Sequence, residues 1–468
     1  MISEETLSGT INELGDGLRA GEFSASELTE AYLDRFESIG TELNAVVTVT
    51  RERARQTAEE RDAELEAGDD RGPLHGIPYG VKDLIATASD PTTWGAEPYR
   101  DQTFEEDATV VERLESAGGV LIGKLATVEL AGGFGYDQPD AAFTGPGLNP
   151  WNTDAWSGGS SSGPGSAVPA GLVGFAIGTE TWGSITTPAA FSGVSGLRPT
   201  YGRVSRNGVM ALSWTMDKIG PMCRSAHGCE QVLRAIAGPD PADSTAADRA
   251  LEDDDFACGD PPRLAVVAGA GEDEQEGVRE NFERSLGVLE EFTTIEEIEL
   301  PEYPYEAVAG TIIDAEAASA FEDLIESGAV RDLTAPEDRI GGYSGQVVLA
   351  KDYINAMRVR TKIQRALDET LAPYDAVLTP TRTSVASPLE TSFGDYFGRF
   401  GGPDIGGGAN AAGLPEITVP NGFGERGLPT AISFTGRAWE DLKLLELARE
   451  YQRRTGHIVY SDLAGEYE

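Results

Sequence analysis

Three residues that could act together on a carbonyl group, Lys82, Ser160 and Ser184, lie in separate glycine-rich segments. The segments read HGIPYGVKDL (75–84), SGGSSSGPGSA (157–167) and GTETWGSITTP (178–188). A serine hydroxyl becomes a strong nucleophile only when a base removes its proton, and the base need not be a histidine. The chain holds only six lysines, so a lysine in an apolar, glycine-bounded run is an unusual choice for a surface position. These residues predict hydrolysis of an amide.

The glycine- and serine-rich run at 157–166 has competing interpretations. A flexible linker is one, but this run leads directly into the uncharged apolar stretch at 167–178. Gly159 to Gly163 also fit the G-x-S-x-G nucleophile elbow, which needs a buried strand before it and an acid and a histidine after it. The preceding letters, NTDAWSG, predict a poor strand, and a phosphate loop would need a Gly-Lys-Ser/Thr ending. We therefore favour a loop whose backbone N–H groups approach a ligand.

The chain has few histidines and cysteines that could bind a metal or provide a reactive thiol. It contains three histidines and three cysteines: His75, His227, His457, Cys223, Cys229 and Cys258. The cysteines are too few and too irregularly spaced for a disulfide framework or a zinc site. His75 lies seven residues before Lys82, and we interpret it as a structural hydrogen-bonding group. We therefore expect neither a metal nor a cofactor.

The composition indicates a large globular protein with a strongly acidic surface. Apolar residues make up 40% of 468 positions, and 79 acidic residues against 36 basic ones give a net charge of −43. A disordered acidic chain would lack this apolar content, so we interpret the charge as a solvated surface suited to a salt-rich cytoplasm. Such a surface disfavours unassisted binding of nucleic acid or anionic membrane. No signal-like start and no long apolar run is present, so we expect a soluble cytoplasmic protein.

Hydrophobic periodicity predicts helices first and an α/β sheet afterwards. Residues 4–68 have a helical pattern, and Ser24 with Glu27 forms a capping box. Strands are predicted at 77–82 and 120–123 with a helix at 108–117 between them, which is the alternation of an α/β sheet. The later predictions are a buried helix or strand pair at 167–178, an acidic exposed connection at 238–263, a strand at 264–267, mainly helix at 275–370, and strands at 376–381 and 416–423.

The motifs resemble the amidase signature family, whose members hydrolyse amides with a Ser–Ser–Lys triad. The resemblance is dense from about residue 72 to 225 and weaker beyond 235. It is carried by PLHGIPYGVKDL, DATVVERLESAGGVLIGK, NPW, GGSS, GTETWGS, GLRPTYGRVSRNGVM and DKIGP, in that order, and later by AGLPEITVPNGF. The 24-residue spacing of the two serines is also that of the family.

The resemblance implies a role for each residue of the triad. Lys82 matches the general base, Ser160 the relay serine beside a cis peptide bond to Gly159, and Ser184 the nucleophile. The implied oxyanion hole consists of backbone N–H groups of Thr181, Trp182, Gly183 and Ser184. A buried lysine amine with a lowered pKa can accept a proton near pH 7 through a bridging hydroxyl, so the implied chemistry is physically sound.

The loop that carries the nucleophile departs from the family's usual Asp-x-Gly-Gly-Ser-Ile-Arg. Here Trp182 replaces a glycine, so we expect this residue to have a negative φ or the loop to be rearranged. Thr186 replaces an arginine that could pair with the upstream acid, so Glu180 must find another partner. Ser162 also stands where the family usually has glycine. Trp182 and Tyr136, with Phe134 beside it, are candidate pocket residues.

The resemblance implies a three-layer α/β/α fold around a mixed β-sheet, with an N-terminal helical layer. We expect one domain over 1–468, made of N-terminal helices (1–70), a catalytic core (71–235), the acidic connection (236–263) and the rest of the α/β fold (264–468). The expected function is hydrolysis of a small-molecule amide through an acyl-enzyme. The alternatives are the A subunit of a glutamine-dependent tRNA amidotransferase, or a non-catalytic binding protein. A homodimer is a further expectation.

Overall fold

A mixed sheet of eleven strands is the centre of the computed structural model, which describes residues 2–251, 261–403 and 405–458. A separate ribbon of two strands, β4 and β5, lies outside it. The strands are β1 (Val46–Val49), β2 (Pro78–Lys82), β3 (Val120–Leu125), β4 (Leu148–Asn149), β5 (Asn152–Trp156), β6 (Phe175–Glu180), β7 (Ser195–Arg198), β8 (Lys218–Cys223), β9 (Arg263–Val267), β10 (Thr294–Ile298), β11 (Ala376–Pro380), β12 (Glu416–Phe423) and β13 (Pro429–Thr435).

The strand order in the central sheet is β1-β3-β2-β6-β8-β7-β12-β13-β11-β9-β10. Pairing is parallel between β3, β2 and β6 and between β11, β9 and β10, and it is antiparallel elsewhere. The central strands β2, β3, β6, β7 and β8 are buried along their whole length, because helices cover them. The predicted α/β class with a mixed sheet is confirmed.

The helices surround this sheet, and their apolar side chains form a large core with β2, β3, β6 and β12. They are α1 (Glu4–Leu7), α2 (Ile11–Ala20), α3 (Ala25–Glu37), α4 (Ile39–Glu42), α5 (Arg51–Ala67), α6 (Thr109–Ser116), α7 (Ser162–Ala167), α8 (Thr186–Ser192), α9 (Ala226–Ile236), α10 (Glu276–Leu289), α11 (Tyr305–Ala320), α12 (Glu322–Ser327), α13 (Asp338–Gly345), α14 (Ala350–Leu371), α15 (Phe393–Phe397), α16 (Gly406–Ala412) and α17 (Asp441–Thr455).

The N-terminal helices follow the sequence prediction closely. The Ser24 side chain accepts from the backbone N–H of Glu27 while the Glu27 carboxylate accepts from the N–H of Ser24, so the predicted capping box is confirmed. A second capping box joins Thr10 and Glu13 at the start of α2. The prediction missed β1 within the helical region, because that short strand is stabilised by its antiparallel pairing with β3.

Three other local predictions are corrected by the structure. The buried run at 167–178 is neither one helix nor a strand pair, since α7 ends at Ala167 and β6 begins at Phe175. The letters NTDAW form β5, although this strand belongs to the separate ribbon and is exposed at Thr153 and Asp154. The helical region at 275–370 is interrupted by β10, a largely polar edge strand that pairs with β9 and packs Ile295 and Ile298 against the core.

The acidic connection is partly anchored to the fold. Asp240 accepts hydrogen bonds from the hydroxyls of Thr109 and Ser205, at 2.7 and 2.5 Å, and Asp243 is buried. Residues 252–260, including Cys258, lie outside the described residues. Cys223 and Cys229 are free thiols in the core. Of the helices in the described ranges, none is both long and apolar enough to cross a membrane.

Candidate active site

Lys82 is the last residue of β2, and its side chain is fully buried. Its Nζ lies 2.7 Å from Ser160 Oγ and 3.0 Å from Thr179 Oγ1, so it is held between the serine-rich loop and β6. Burial lowers the pKa of Lys82 to about 7, although the carboxylates of Asp217 and Glu180 oppose this effect. A substantial fraction of this amine is therefore neutral at neutral pH and can accept a proton.

Ser160 is placed by the loop between β5 and α7. The Gly159–Ser160 peptide bond is cis, as the resemblance implied. Gly158 has a φ of +94°, and a Cβ on it would lie 2.5 Å from the Cα of Pro188, so this position requires glycine. The neighbouring Ser161 hydroxyl donates to the carbonyl of Thr179 at 3.2 Å. The loop is thus fixed against β6 and α8 with the Ser160 hydroxyl on Lys82.

Ser184 follows β6, in the turn that precedes α8. Its carbonyl accepts from the backbone N–H of Ser161 at 3.2 Å, which joins the two serine loops directly. Among the described residues, the Ser184 hydroxyl forms no hydrogen bond, and the residue lines a cavity of about 470 Å³. The structure therefore brings Lys82 and Ser160 into contact and joins Ser184 to their loop through its backbone carbonyl, while within the described residues the Ser184 hydroxyl has no hydrogen bond to Ser160. Catalytic hydrogen bonds of unliganded sites often form only when substrate binds.

The turn at 181–184 presents unused backbone donors. Within the described part of the chain, the N–H groups of Trp182, Gly183 and Ser184 have no hydrogen-bond partner. Gly183 has a φ of +84°, whereas the φ of Trp182 is not positive. The tryptophan thus occupies the family's glycine position in a conformation that any residue can adopt. Consecutive free donors next to a nucleophile suit an oxyanion.

Glu180 pairs with Arg198, in place of the arginine that the family has at the position of Thr186. Arg198 Nη1 donates to Glu180 Oε1 at 3.0 Å, while the backbone N–H groups of Ile185 and Thr186 donate to Oε2 at 2.8 and 3.0 Å. Burial alone would raise the pKa of Glu180, but the charges of Arg198 and Lys218 and these donors hold the pKa at about 2. The carboxylate therefore stays ionised and fixes the start of α8.

A second buried lysine supports the same turn from the other side. Lys218 Nζ donates to the carbonyl of Thr181 at 3.3 Å and to Asn410 Oδ1 at 2.8 Å. Asp217 accepts from the Thr181 hydroxyl at 2.5 Å. Burial, together with the charge of Arg198, lowers the pKa of Lys218 to about 7. Sequence reasoning missed this lysine as a site residue, although it belongs to the DKIGP motif.

The cavity has an aromatic wall and two charged residues. Tyr136 and Trp182 line it as predicted, whereas Phe134 packs against Phe321 with ring centroids 5.6 Å apart. Burial raises the pKa of the Tyr136 hydroxyl. The lining residues that sequence reasoning missed come mostly from the last two thirds of the chain and include Trp156, Phe191, Ile313, Asp314, Arg382, Phe393 and Phe397. They have no local motif that could have identified them.

The remaining candidates have structural positions. His75 is buried, its Nε2 lies 2.9 Å from the carbonyl of Arg61, and its Nδ1 accepts from the N–H of Arg71. It is therefore a structural hydrogen-bonding group, as predicted. Within residues 2–251, 261–403 and 405–458, no group of three His, Cys, Asp or Glu side chains could hold a metal ion.

The chain is similar to known proteins both in sequence and in fold. The family model described as Amidase matches residues 27–445. The A subunit of glutamyl-tRNA(Gln) amidotransferase from Roseiflexus sp. (strain RS-1) is 35% identical, over 97% of this chain and 98% of its own. The crystal structure of native peptide amidase from Stenotrophomonas maltophilia has a TM-score of 0.85 at 31% identity, covering 97% of this chain and 98% of its own. The A subunit of glutamyl-tRNA(Gln) amidotransferase from Thermotoga maritima has a TM-score of 0.80 at 28% identity, with 98% coverage of both chains.

Proposed function

This chain belongs to the amidase signature family, whose enzymes act on carbon–nitrogen bonds, and on that premise we propose that it hydrolyses linear carboxylic amides with Ser184 as nucleophile. In this proposal Lys82 is the general base and Ser160 relays the proton between them. The observation that carries the proposal is the contact of 2.7 Å between a fully buried lysine and Ser160, next to a nucleophile loop with free N–H groups.

The first half of the proposed reaction forms an acyl-enzyme. Neutral Lys82 takes the hydroxyl proton of Ser160, and Ser160 in turn takes the hydroxyl proton of Ser184. The Ser184 oxygen attacks the carbonyl carbon as it loses this proton. The carbonyl π electrons move to the oxygen, and the resulting oxyanion accepts hydrogen bonds from N–H groups of the turn formed by Thr181, Trp182, Gly183 and Ser184. When the oxyanion collapses, the carbon–nitrogen bond breaks. The leaving nitrogen then receives the proton from Lys82 through Ser160.

The second half releases the acid and restores the enzyme. A water molecule gives one proton through Ser160 to neutral Lys82 and attacks the acyl carbon. The same donors hold the second oxyanion. Collapse breaks the bond to Ser184 Oγ, which recovers its proton by the same route. The products are a carboxylic acid and ammonia or an amine, and every proton is returned.

The A subunit of a tRNA-dependent amidotransferase is the second candidate function. It is supported by the names of the relatives, which are A subunits of glutamyl-tRNA(Gln) amidotransferases at 34–36% identity. Such proteins usually carry a segment like F-G-x-E-V-K-R-R-I, and the comparable region here, GGYSGQVVLAKDYINAMRVRTKIQ (341–364), lacks it. We therefore favour an independent amidase that acts on a small-molecule amide. We propose that the chain is one domain and works in the cytoplasm. A homodimer remains part of this proposal.

Ammonia release from glutamine and from simple amides, each with and without candidate partner proteins, tests the two functions. Ser184→Ala and Lys82→Ala should each abolish nearly all turnover, and the double variant should be little worse than either because the residues act as one unit. Ser160→Ala should lose most activity, whereas the control variants Ser161→Ala and Ser162→Ala should lose less. Full additivity of the two single losses would contradict a shared triad. Activity only with glutamine and a partner would favour the amidotransferase.

A further inference from the structure

Arg382 brings a positive charge into the cavity. It lines the same cavity as Ser184 and follows β11, which ends at Pro380. Within the described residues it forms no ion pair; its Nη2 donates to the hydroxyl of Thr187, and its buried Nε has no hydrogen-bond partner. The chain has 79 acidic residues against 36 basic ones, so an arginine left without a carboxylate is notable. A buried guanidinium N–H without a partner is costly unless a ligand supplies the acceptor.

The guanidinium lies against the nucleophile loop. A Cβ on Gly183 would overlap Arg382 Nη2, and it would lie 3.0 Å from the Thr187 hydroxyl. Since Gly183 immediately precedes Ser184, the charge of Arg382 is next to the place where the substrate carbonyl must lie. The backbone around Arg382 is anchored to the sheet, because the N–H of Thr381 donates to the carbonyl of Ala431 at 3.1 Å.

Resting on the proposed function, we propose that Arg382 determines substrate specificity by binding a carboxylate that the amide substrate carries close to its scissile carbonyl. The planar guanidinium presents a fork of donors that matches a carboxylate, and a bound carboxylate supplies the acceptor that the buried Nε lacks. The carboxylate is on either the acyl part or the amine part of the substrate. The aromatic wall of Tyr136, Trp156 and Phe393 receives the apolar remainder.

Asp314 is the other charged residue in the lining, and it limits the orientation of such a substrate. It belongs to α11, on a different element from Arg382, and burial raises the pKa of its carboxyl. A substrate carboxylate is repelled from Asp314 and attracted to Arg382, so the two residues together define one orientation of an anionic amide. A neutral amide receives no such orientation.

Two matched pairs of probes distinguish the position of the carboxylate. Succinamate and butyramide differ by a carboxylate on the acyl part, and N-acetylphenylalanine and N-acetylphenethylamine differ by one on the amine part. We expect kcat/KM to favour the carboxylate member of one pair. Arg382→Gln should lower the ratio of kcat/KM for that member to kcat/KM for its neutral counterpart about 100-fold. Arg382→Lys, which keeps the charge but loses the fork, should be intermediate.

Binding to an inactive enzyme separates this inference from the proposed function. Calorimetry with Ser184→Ala should show tighter binding of one carboxylate probe than of its neutral partner, and Ser184→Ala/Arg382→Gln should lose that preference. The exposed Arg399, whose Nε donates to the carbonyl of Asp395, gives the control Arg399→Gln, which removes one charge and should change nothing. Equal losses for both members of a pair with Arg382→Gln, or no carboxylate preference in Ser184→Ala, would overturn the inference. Carboxylate preference in binding without turnover of any amide would overturn only the proposed function.

Discussion

In the proposed mechanism the pH dependence of hydrolysis follows from the protonation state of Lys82. Burial lowers the pKa of this lysine to about 7, and only the neutral amine can take the proton of Ser160. We therefore expect kcat/KM for a neutral amide to rise with pH through about 7 and to reach a plateau above about pH 8. The sign follows from the base role, because lowering the pH protonates Lys82 and removes the acceptor.

The magnitude follows from the neutral fraction. With a pKa of about 7, Lys82 is neutral in about one molecule in eleven at pH 6, half at pH 7 and ten in eleven at pH 8. We expect kcat/KM to rise about tenfold between pH 6 and pH 8, with a limiting slope of one on a logarithmic plot at low pH. A lysine with the ordinary pKa of 10.5 would be neutral in only about one molecule in three thousand at pH 7.

Lys218 requires a control because burial also lowers its pKa to about 7. Initial rates of ammonia release from butyramide should be measured from pH 5 to 9 at fixed ionic strength for the wild type and Lys218→Gln. Glutamine can still donate to the Thr181 carbonyl and cannot titrate, so the variant should keep the midpoint even if its plateau is lower. A flat profile between pH 6 and 8, or a rate that falls as pH rises, would refute the base role of Lys82. If the rate of Lys218→Gln no longer rises with pH, the titrating group is Lys218 and not Lys82.

Two further predictions concern stability. Arg198→Met removes the cation that lies 3.0 Å from each of the buried carboxylates of Glu180 and Glu416, so the free energy of unfolding in urea should fall by about 3–5 kcal/mol. A loss below about 1 kcal/mol would show that the two ion pairs are not needed. The net charge of −43 predicts a thermal midpoint that rises from about 0.1 M to several molar KCl, because salt screens the repulsion between acidic side chains. A midpoint that is constant or falls would contradict that explanation.

The sequence predicted the parts of the fold and site that depend on local pattern. Periodicity and short-range side-chain chemistry predict the strand that ends at Lys82, the helix at 109–116 and the capping box at Ser24. The glycine loops around the two serines were also predicted from local sequence. Glycine is required where φ is positive or where two backbone segments approach closely. The need of Glu180 for a new partner was also predicted from one substitution.

The parts that were missed depend on contacts between distant segments. Arg382 reaches the nucleophile loop from 195 residues beyond Thr187, and nothing in the letters TPTRTS indicates a cavity. β10 has a largely polar sequence, and its pairing with β9 and the packing of Ile295 and Ile298 against the core are contacts that the local pattern does not show. The identity of Arg198 as the partner of Glu180 likewise depends on the sheet order, in which β6 and β7 lie on either side of β8, although the two residues are only 18 positions apart.

The free donors of the nucleophile loop explain why so many buried charges surround it. In the proposed mechanism the N–H groups of this turn are kept for an oxyanion and cannot fix the turn, so its other polar atoms must be held by side chains. Asp217 and Lys218 hold the hydroxyl and carbonyl of Thr181, and Glu180 holds the N–H groups that follow Ser184. Lys218 donates to Asn410, and Arg198, which pairs with Glu180, also pairs with Glu416. The side chains that hold this loop are therefore themselves held by residues of the C-terminal third of the chain, so the position of its N–H groups depends on contacts across the fold and not on the glycine motif alone.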